Sequence, residues 1–447
     1  MFKKGDKTDP GNYRPIALLP IVKVLERIVH DKLSRFLRPW LSPAQSGLRK
    51  NYGTIPQLTR LTQVWAEAVD RSMYVGVVYF DLRKAFDKVW HRGLLHKLRA
   101  AGVCGSAYRW FSSFLAGRRQ ATVVEGCQSP FLALHAGVPQ GAILSPLLFS
   151  IYMNDIPSPN LTTNLFADDT SVYALGESVQ DLVPRLQASV NVVCSWFKKW
   201  LLSVNSIKSA SMVFRSRGMP VVTLGICVDS APIPQVTSHR HLGLVFNETL
   251  NWSDHVSKVV LRVSQRIGML RRIKSRTGSL YVRELYLRAI VPSFEYVSIV
   301  WSGMSTTDAK RLECCNCAAA RVIIGISPSD KVSAEILLAR AGLQSLSVRR
   351  KVAQAKFVFT LLQGKQPAHL CNSLQHWLPD SSSQSGIRKA LRDQHLLRLR
   401  LPKKNALKNS PLYLSFSTWN TPLSLSDPLP PVMRLPLSFL SNLCLFV

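Results

Sequence analysis

Tyr74-Val75-Gly76-Val77-Val78-Tyr79-Phe80-Asp81 and Leu165-Phe166-Ala167-Asp168-Asp169-Thr170 decide how this chain folds. The first stretch is rich in β-branched and aromatic residues and apolar at odd and even positions alike. That pattern reads as a strand buried on both faces, ending on Asp81. The second lies where two short strands, residues 161–166 and 171–174, meet, so Asp168 and Asp169 sit at the tip of a hairpin. Adjacent strands in one sheet would bring these acids together despite their distance in sequence. Clustered carboxylates are costly unless cations neutralise them. Mg²⁺ is the natural cation, because it takes carboxylate and phosphate oxygens and keeps several waters. Two such ions about 3.5–4 Å apart stabilise the attacking and leaving oxygens of an in-line phosphoryl displacement. An Asp-Asp pair in a turn is by itself ordinary turn chemistry; the combination points to a site.

Working outward, residues 21–37 place Val22, Leu25, Ile28, Val29 and Leu33 at helical spacing, which predicts an apolar face there. Residues 58–69 read as a second helix, with Pro39, Pro43 and Gly47 marking loops between the two. After Asp81 a helix is expected from about Lys84 and another over 104–115, then short strands over 120–124 and 129–134. Gly137-Val138-Pro139-Gln140-Gly141 is a tight loop, followed by an apolar helix over 144–152.

Residues 182–202 form an amphipathic helix with Leu182, Leu186, Val190, Val193 and Phe197 on one face. Ser178 could cap it, with Asp181 at the third helical position. Asp181 is the preferred cap, since it leaves Pro184 in the first turn, where a missing N–H costs least. Residues 251–273 form another such helix, with Lys258, Arg262, Arg266 and Arg271 crowding its polar side. A basic face of this kind suits a phosphate backbone, and equally a solvated surface.

Three stretches carry a family resemblance. Phe80-Asp81-Leu82-Arg83-Lys84-Ala85-Phe86-Asp87 resembles motif A of reverse transcriptases, Gly137 to Pro146 their motif B, and Phe166-Ala167-Asp168-Asp169 the acidic box of motif C. Order and approximate spacing also agree. Lys3-Lys4-Gly5-Asp6 with Asn12 to Ile16 is similar to the early fingers motif of the non-LTR (LINE-type) retrotransposon branch. Gln45-Ser46-Gly47-Leu48-Arg49 resembles the next, with Leu48 where Phe is usual. Asn205 and Lys208 resemble motif D, and His241-Leu242-Gly243 with Leu250-Asn251-Trp252 the primer grip and the start of the thumb. The resemblance covers nearly the whole chain and is densest up to about Trp252.

The resemblance implies an α+β right-hand polymerase of fingers, palm and thumb, with an antiparallel palm sheet and a helical thumb. It implies fingers and palm over 1–225, primer grip and thumb over 226–330, and a C-terminal region of uncertain role over 331–447. Asp81, Asp168 and Asp169 would hold two Mg²⁺ ions, with Mn²⁺ as a substitute. Phe86 would exclude a 2′-hydroxyl beneath the sugar, although a core Phe after a strand fits the sequence equally well. Gln140 and Gly141 would shape the nucleotide pocket. Arg14, Lys23 and Arg49 would contact the triphosphate, and Lys208 would act as general acid toward pyrophosphate. Lys258, Arg262, Arg266 and Arg271 would grip nucleic acid. RNA template, DNA primer or target, and dNTPs are the implied partners, in the nucleus, the cytoplasm or both.

Composition agrees with a polyanionic partner: 57 Lys+Arg stand against 26 Asp+Glu, a net charge of +31. Apolar residues at 47% exclude a disordered chain. No run approaches the roughly 20 apolar residues a membrane span needs, and no secretory signal opens the chain. The nine cysteines lack disulfide-like spacing. Cys314 and Cys317 have metal-like spacing, but no Cys/His pair follows at knuckle distance, so buried thiols are expected. The early fingers motif begins almost at Met1 and no endonuclease domain precedes it. The leading reading is a polymerase acting without self-made nicks; a truncated, inactive nucleic-acid-binding remnant stays open beside it, as do a maturase-like RNA-folding factor and an RNA-dependent RNA polymerase, against which Phe86 speaks.

Overall fold

The computed structural model describes residues 6, 13, 22–124, 126–159, 162–327, 329–373 and 405–420. The chain divides into two compact units, residues 1–58, 68–243 and 247–249, and residues 59–67, 244–246 and 250–447.

The first unit is built on the strand predicted around Gly76. β1 (Tyr74–Phe80) is buried along its whole length, as its unbroken apolar run requires. It pairs antiparallel with β7 (Asp169–Gly176) on one side and β8 (Ala210–Phe214) on the other. β6 (Thr163–Phe166) pairs with β7, so the sheet order is β6-β7-β1-β8. Short irregular segments cover both edges. Leu165 exchanges hydrogen bonds with Ala44 and Ser46 beside β6, and Ser211 with Pro234 and Val236 beside β8. The α+β class and the antiparallel sheet are as expected.

α6 (Val179–Lys199) lies across one face of this sheet. Its Leu182, Leu186, Val190, Val193 and Phe197 are buried as predicted. Contact is so close that a Cβ on Gly76 would come within 2.8 Å of Leu186, and one on Gly176 within 2.8 Å of the Leu182 backbone. The helix therefore starts immediately after the strand, and its cap is Ser178, not Asp181. Ser178 Oγ accepts the Asp181 N–H at 3.2 Å, while the Asp181 carboxylate reaches Arg185 at 2.6 Å. Pro184 is left inside the helix. Deep burial of the leucines outweighs the lost backbone bond.

Two more expectations change. No α-helix starts at Lys84, because strand-like pairing continues past Asp81: Leu82 bridges Val204, and the Arg83 N–H donates to Ser203 at 2.9 Å. Lys84 then turns left-handed (φ 50°), a single 3₁₀ turn covers Ala85–Lys88, and α3 (His91–Ala100) begins beyond it. α1 (Val22–Leu37) is rotated from its predicted face. Leu25 and Ile28 are about half exposed, whereas Glu26, Leu33 and Leu37 are buried. α2 (Thr54–Asp70) and α4 (Gly105–Leu115) fall near their predicted positions.

The strands expected over 120–124 and 129–134 are broken into β2 (Arg119–Gln120), β3 (Val123–Val124), β4 (Cys127–Gln128) and β5 (Leu132–Ala133). Between them the Ser129 hydroxyl accepts the Thr122 N–H at 3.0 Å, taking the place of a ladder bond. α5 (Ser145–Tyr152) is almost wholly buried, with Pro146 in its first turn. β9 (Cys227–Val228), β10 (Ala231–Pro232) and β11 (Ser238–His241) complete the unit.

The second unit is helical. After β12 (Leu244–Asn247), α7 (Ser253–Lys274) buries Val256, Val259, Val263, Ile267 and Leu270. It packs along α10 (Thr306–Ile324), with α8 (Ser279–Leu285) and α9 (Val291–Glu295) between them in sequence. A polar line runs through the interior. Tyr286 donates to Asn316 at 2.6 Å, Asn316 to Glu313 at 2.8 Å, and Glu313 accepts the Leu346 N–H at 3.0 Å. α11 (Ala334–Ala341), α12 (Leu346–Leu362), α13 (Ala368–Ser373), α14 (Asn405–Lys408) and α15 (Pro411–Asn420) follow. No helix among the described residues is long and apolar enough to cross a membrane.

Candidate active site

Strand register carries Asp81 toward the hairpin that bears Asp168 and Asp169. Phe80 pairs with Thr170, so Asp81 emerges one step further on, toward Asp169, which itself pairs with Phe166 across the hairpin. Ala167 and Asp168 form the two-residue turn. Ala167 is held at φ 56°, a left-handed conformation that L residues adopt at a cost of roughly 1 kcal/mol or more. The strain is held by Gln45, fully buried, whose Oε1 accepts both the Ala167 N–H at 3.1 Å and the Gly47 N–H at 2.9 Å. Gly47 must be glycine, since a Cβ there would lie 2.6 Å from the Ala167 nitrogen.

Asp81 is fixed from a third direction. Its N–H donates to Ser209 Oγ at 3.1 Å, and its carbonyl accepts the Asn205 N–H at 2.7 Å. The Asp169 carboxyl is pushed up to about 6, first by the protein packed around its carboxyl, although the residue as a whole is exposed, and then by the Asp168 and Asp81 carboxylates. Such mutual repulsion is what a hard cation relieves, and the donor set is all oxygen. Among the described residues no three acids, histidines or cysteines already converge as a ligand shell.

A cavity of about 180 Å³ is lined by Phe86, Gln140, Gly141, Ser145 and Pro146. It thus brings together Phe86, Gln140 and Gly141, three of the residues expected at a nucleotide. The Phe86 ring stacks on Phe149 at 4.4 Å, so it is both a packed residue and a wall of the cavity. Gln140 Nε2 donates to Asp87 at 2.8 Å. The loop is anchored from behind by Glu26, 1% exposed, whose Oε2 accepts the N–H groups of Ile143 at 2.6 Å and Leu144 at 3.4 Å.

The expected cations differ in their surroundings. Lys23 and Lys208 are exposed. Arg14 lies outside the described residues. Arg49 donates to the Ser42 carbonyl at 2.5 Å and the Gln45 carbonyl at 3.2 Å, bracing the segment that holds the hairpin turn. On α7, Lys258, Arg262 and Arg271 are exposed, but Arg266 donates inward to Ala289 at 2.6 Å and Ser293 at 2.9 Å. Of the C-terminal thiols Cys315 is buried, Cys317 partly so and Cys314 exposed.

Sequence reading missed Gln45's role as a clamp, Glu26 and Ser209. In the sequence Gln45 stands out only as part of a motif. Glu26 occupies a position that periodicity assigns to solvent, and only its buried partners reveal it.

An antiparallel sheet with acids at the end of one central strand and on the hairpin turn beside it is the palm of a right-hand polymerase. The chain belongs to the reverse transcriptase (RNA-dependent DNA polymerase) family, whose model matches residues 2–246. It is similar to the probable RNA-directed DNA polymerase from transposon BS of Drosophila melanogaster, 29% identical over 342 residues, covering 72% of this chain and 37% of that one. It is also similar to that of the Drosophila melanogaster X-element, 29% identical over 331 residues, covering 71% and 36%. A third relative is the polymerase of mobile element jockey from Drosophila funebris, 27% identical over 334 residues, covering 71% and 36%. These relatives lie in the non-LTR retrotransposon branch that the motifs resemble. The chain spans a little over a third of their length.

Proposed function

We propose that this chain extends a DNA 3′ end along an RNA template, using dNTPs and releasing pyrophosphate, as the polymerising part of a non-LTR retrotransposon protein. The observation that carries the reading is the register that sets Asp81 beside the Asp168-Asp169 turn. Two Mg²⁺ ions bound by these acids would supply Lewis-acid stabilisation of the attacking and leaving oxygens. The chain's own residues position the reactants. Phe86, backed by Phe149, would reject a 2′-hydroxyl by bulk. Gln140 and Gly141 would face the incoming nucleotide. Lys23, Lys208 and Arg14 would offset triphosphate charge, with Lys208 donating a proton to pyrophosphate. Lys258, Arg262 and Arg271 on α7 would follow the phosphate backbone as part of a thumb.

Primer extension on an RNA template with a DNA primer tests this. The native chain should extend with Mg²⁺ or Mn²⁺, and the double variant Asp168→Ala, Asp169→Ala should lose extension while keeping hybrid binding. Hybrid binding without extension by the native chain would instead favour an inactive nucleic-acid-binding remnant.

A further inference from the structure

A second cavity, about 520 Å³ and open to solvent, lies in the first unit and plays no part in the chemistry above. Trp90, Arg92, Gly93, His96 and Trp200 line it. Trp90 stands just before α3 and is 36% exposed, an uncommon place for the largest apolar side chain. Its ring centroid lies 6.5 Å from that of Trp200. Gly93 makes the arrangement possible. A Cβ there would come within 2.5 Å of the Trp90 ring and 3.1 Å of Trp200, so both indoles lie over the first turn of α3 only because that position is bare.

Trp200 is a fixed and largely buried wall, 8% exposed. Buried Lys97, absent from the cavity wall, approaches its ring to 3.4 Å and is itself tied to the Tyr152 carbonyl and the Asp155 carboxylate. Arg92 and His96, one helical turn apart, are exposed at the rim. Aromatic walls with a cationic rim match one ligand chemistry well: a flat, unstacked base carrying a phosphate. The cavity is concave, which suits one base better than a lipid surface.

We infer that this cavity takes a nucleobase of a single-stranded nucleic acid, its ring against Trp90 with buried Trp200 behind it and its flanking phosphate drawn to Arg92. The site is distinct from the cavity lined by Phe86 and would engage nucleic acid that is not base-paired.

Binding of a short single-stranded oligoribonucleotide to the full chain, measured by fluorescence anisotropy, tests the inference. Trp90→Ala should weaken binding about tenfold, Trp90→Phe should retain most of it, and Arg92→Glu should weaken it with both indoles intact. A blunt RNA–DNA hybrid and an abasic oligonucleotide of equal length should bind native and Trp90→Ala chains alike. The inference is overturned if Trp90→Ala binds the oligoribonucleotide normally. It is also overturned if the hybrid or the abasic strand loses affinity to the same extent. None of these readouts needs polymerisation, so their outcome is separable from that of the extension assay.

Discussion

Gln140 donates its side-chain amide to Asp87 at 2.8 Å, tying the loop of the cavity beside Phe86 to the 3₁₀ turn that carries that ring. In the proposed polymerase, Asp87→Ala frees Gln140 and should raise the dNTP KM roughly tenfold, the worth of a hydrogen bond to a charged group. Asp87→Asn keeps an acceptor and should stay near the native value. Steady-state extension with varied dNTP checks both, and equal KM for all three proteins would detach Gln140 from the nucleotide.

Glu26 is a second anchor of the same loop. Glu26→Leu leaves two N–H groups at the start of α5 unpartnered, at about 1–3 kcal/mol each. Glu26→Gln still offers an oxygen and should lose less. Urea midpoints of the two variants against the native chain give the comparison.

Gln45 is expected to act on turnover more than on folding. Gln45→Met keeps the volume but removes the acceptor for Ala167 and Gly47. The hairpin turn should relax from its left-handed geometry, lowering kcat at least tenfold while dNTP KM changes little. Unchanged kcat would mean that the strained turn is irrelevant to the acids it carries.

Two histidines set a pH limit. Tyr79 stacks on His239 at 4.0 Å and lies 5.0 Å from His241. Burial lowers His239 to about 4; for His241 burial and then the His239 charge lower it to about 3. The unfolded chain therefore takes protons that the folded chain refuses. Their contribution is fully present above about 6.5 and is lost as pH falls toward 4 and then 3. Asp169, raised to about 6, works in the opposite sense. The difference between native and His241→Phe chains isolates one histidine. The variant should gain roughly 2 kcal/mol relative to native between pH 7.5 and 4.5, read from urea midpoints.

On α7 the basic residues should separate into two behaviours. Lys258→Ala and Arg262→Ala should each lower the slope of log affinity for a hybrid against log salt by about 1, with melting temperature unchanged. Arg266→Ala breaks bonds to Ala289 and Ser293 and should lower the melting temperature. Flat affinity across salt for the native chain would remove α7 from the nucleic-acid interface.

β1, the hairpin and the burial of α6 were legible because each is a local pattern: an unbroken apolar run, two acids between short strands, a repeat near 3.6. Phe86, Gln140 and Gly141 were found through motif resemblance, and the cavity brings them together. What escaped reading depends on partners far along the chain. Glu26 is buried because residues over a hundred positions later supply N–H groups, and α1 rotates to deliver it. Ser178 caps α6 because Gly176 lets the helix approach the sheet at once. Arg266 looks like its exposed neighbours until Ala289 and Ser293 are seen beside it.

The segments flanking β6 and β8 have a consequence for how copies of this chain meet. A sheet normally ends in a row of unsatisfied N–H and C=O groups that another chain can join. Here Ala44 and Ser46 occupy that row at Leu165, and Pro234 and Val236 at Ser211. At those two points the sheet presents no free N–H or C=O for another strand to join.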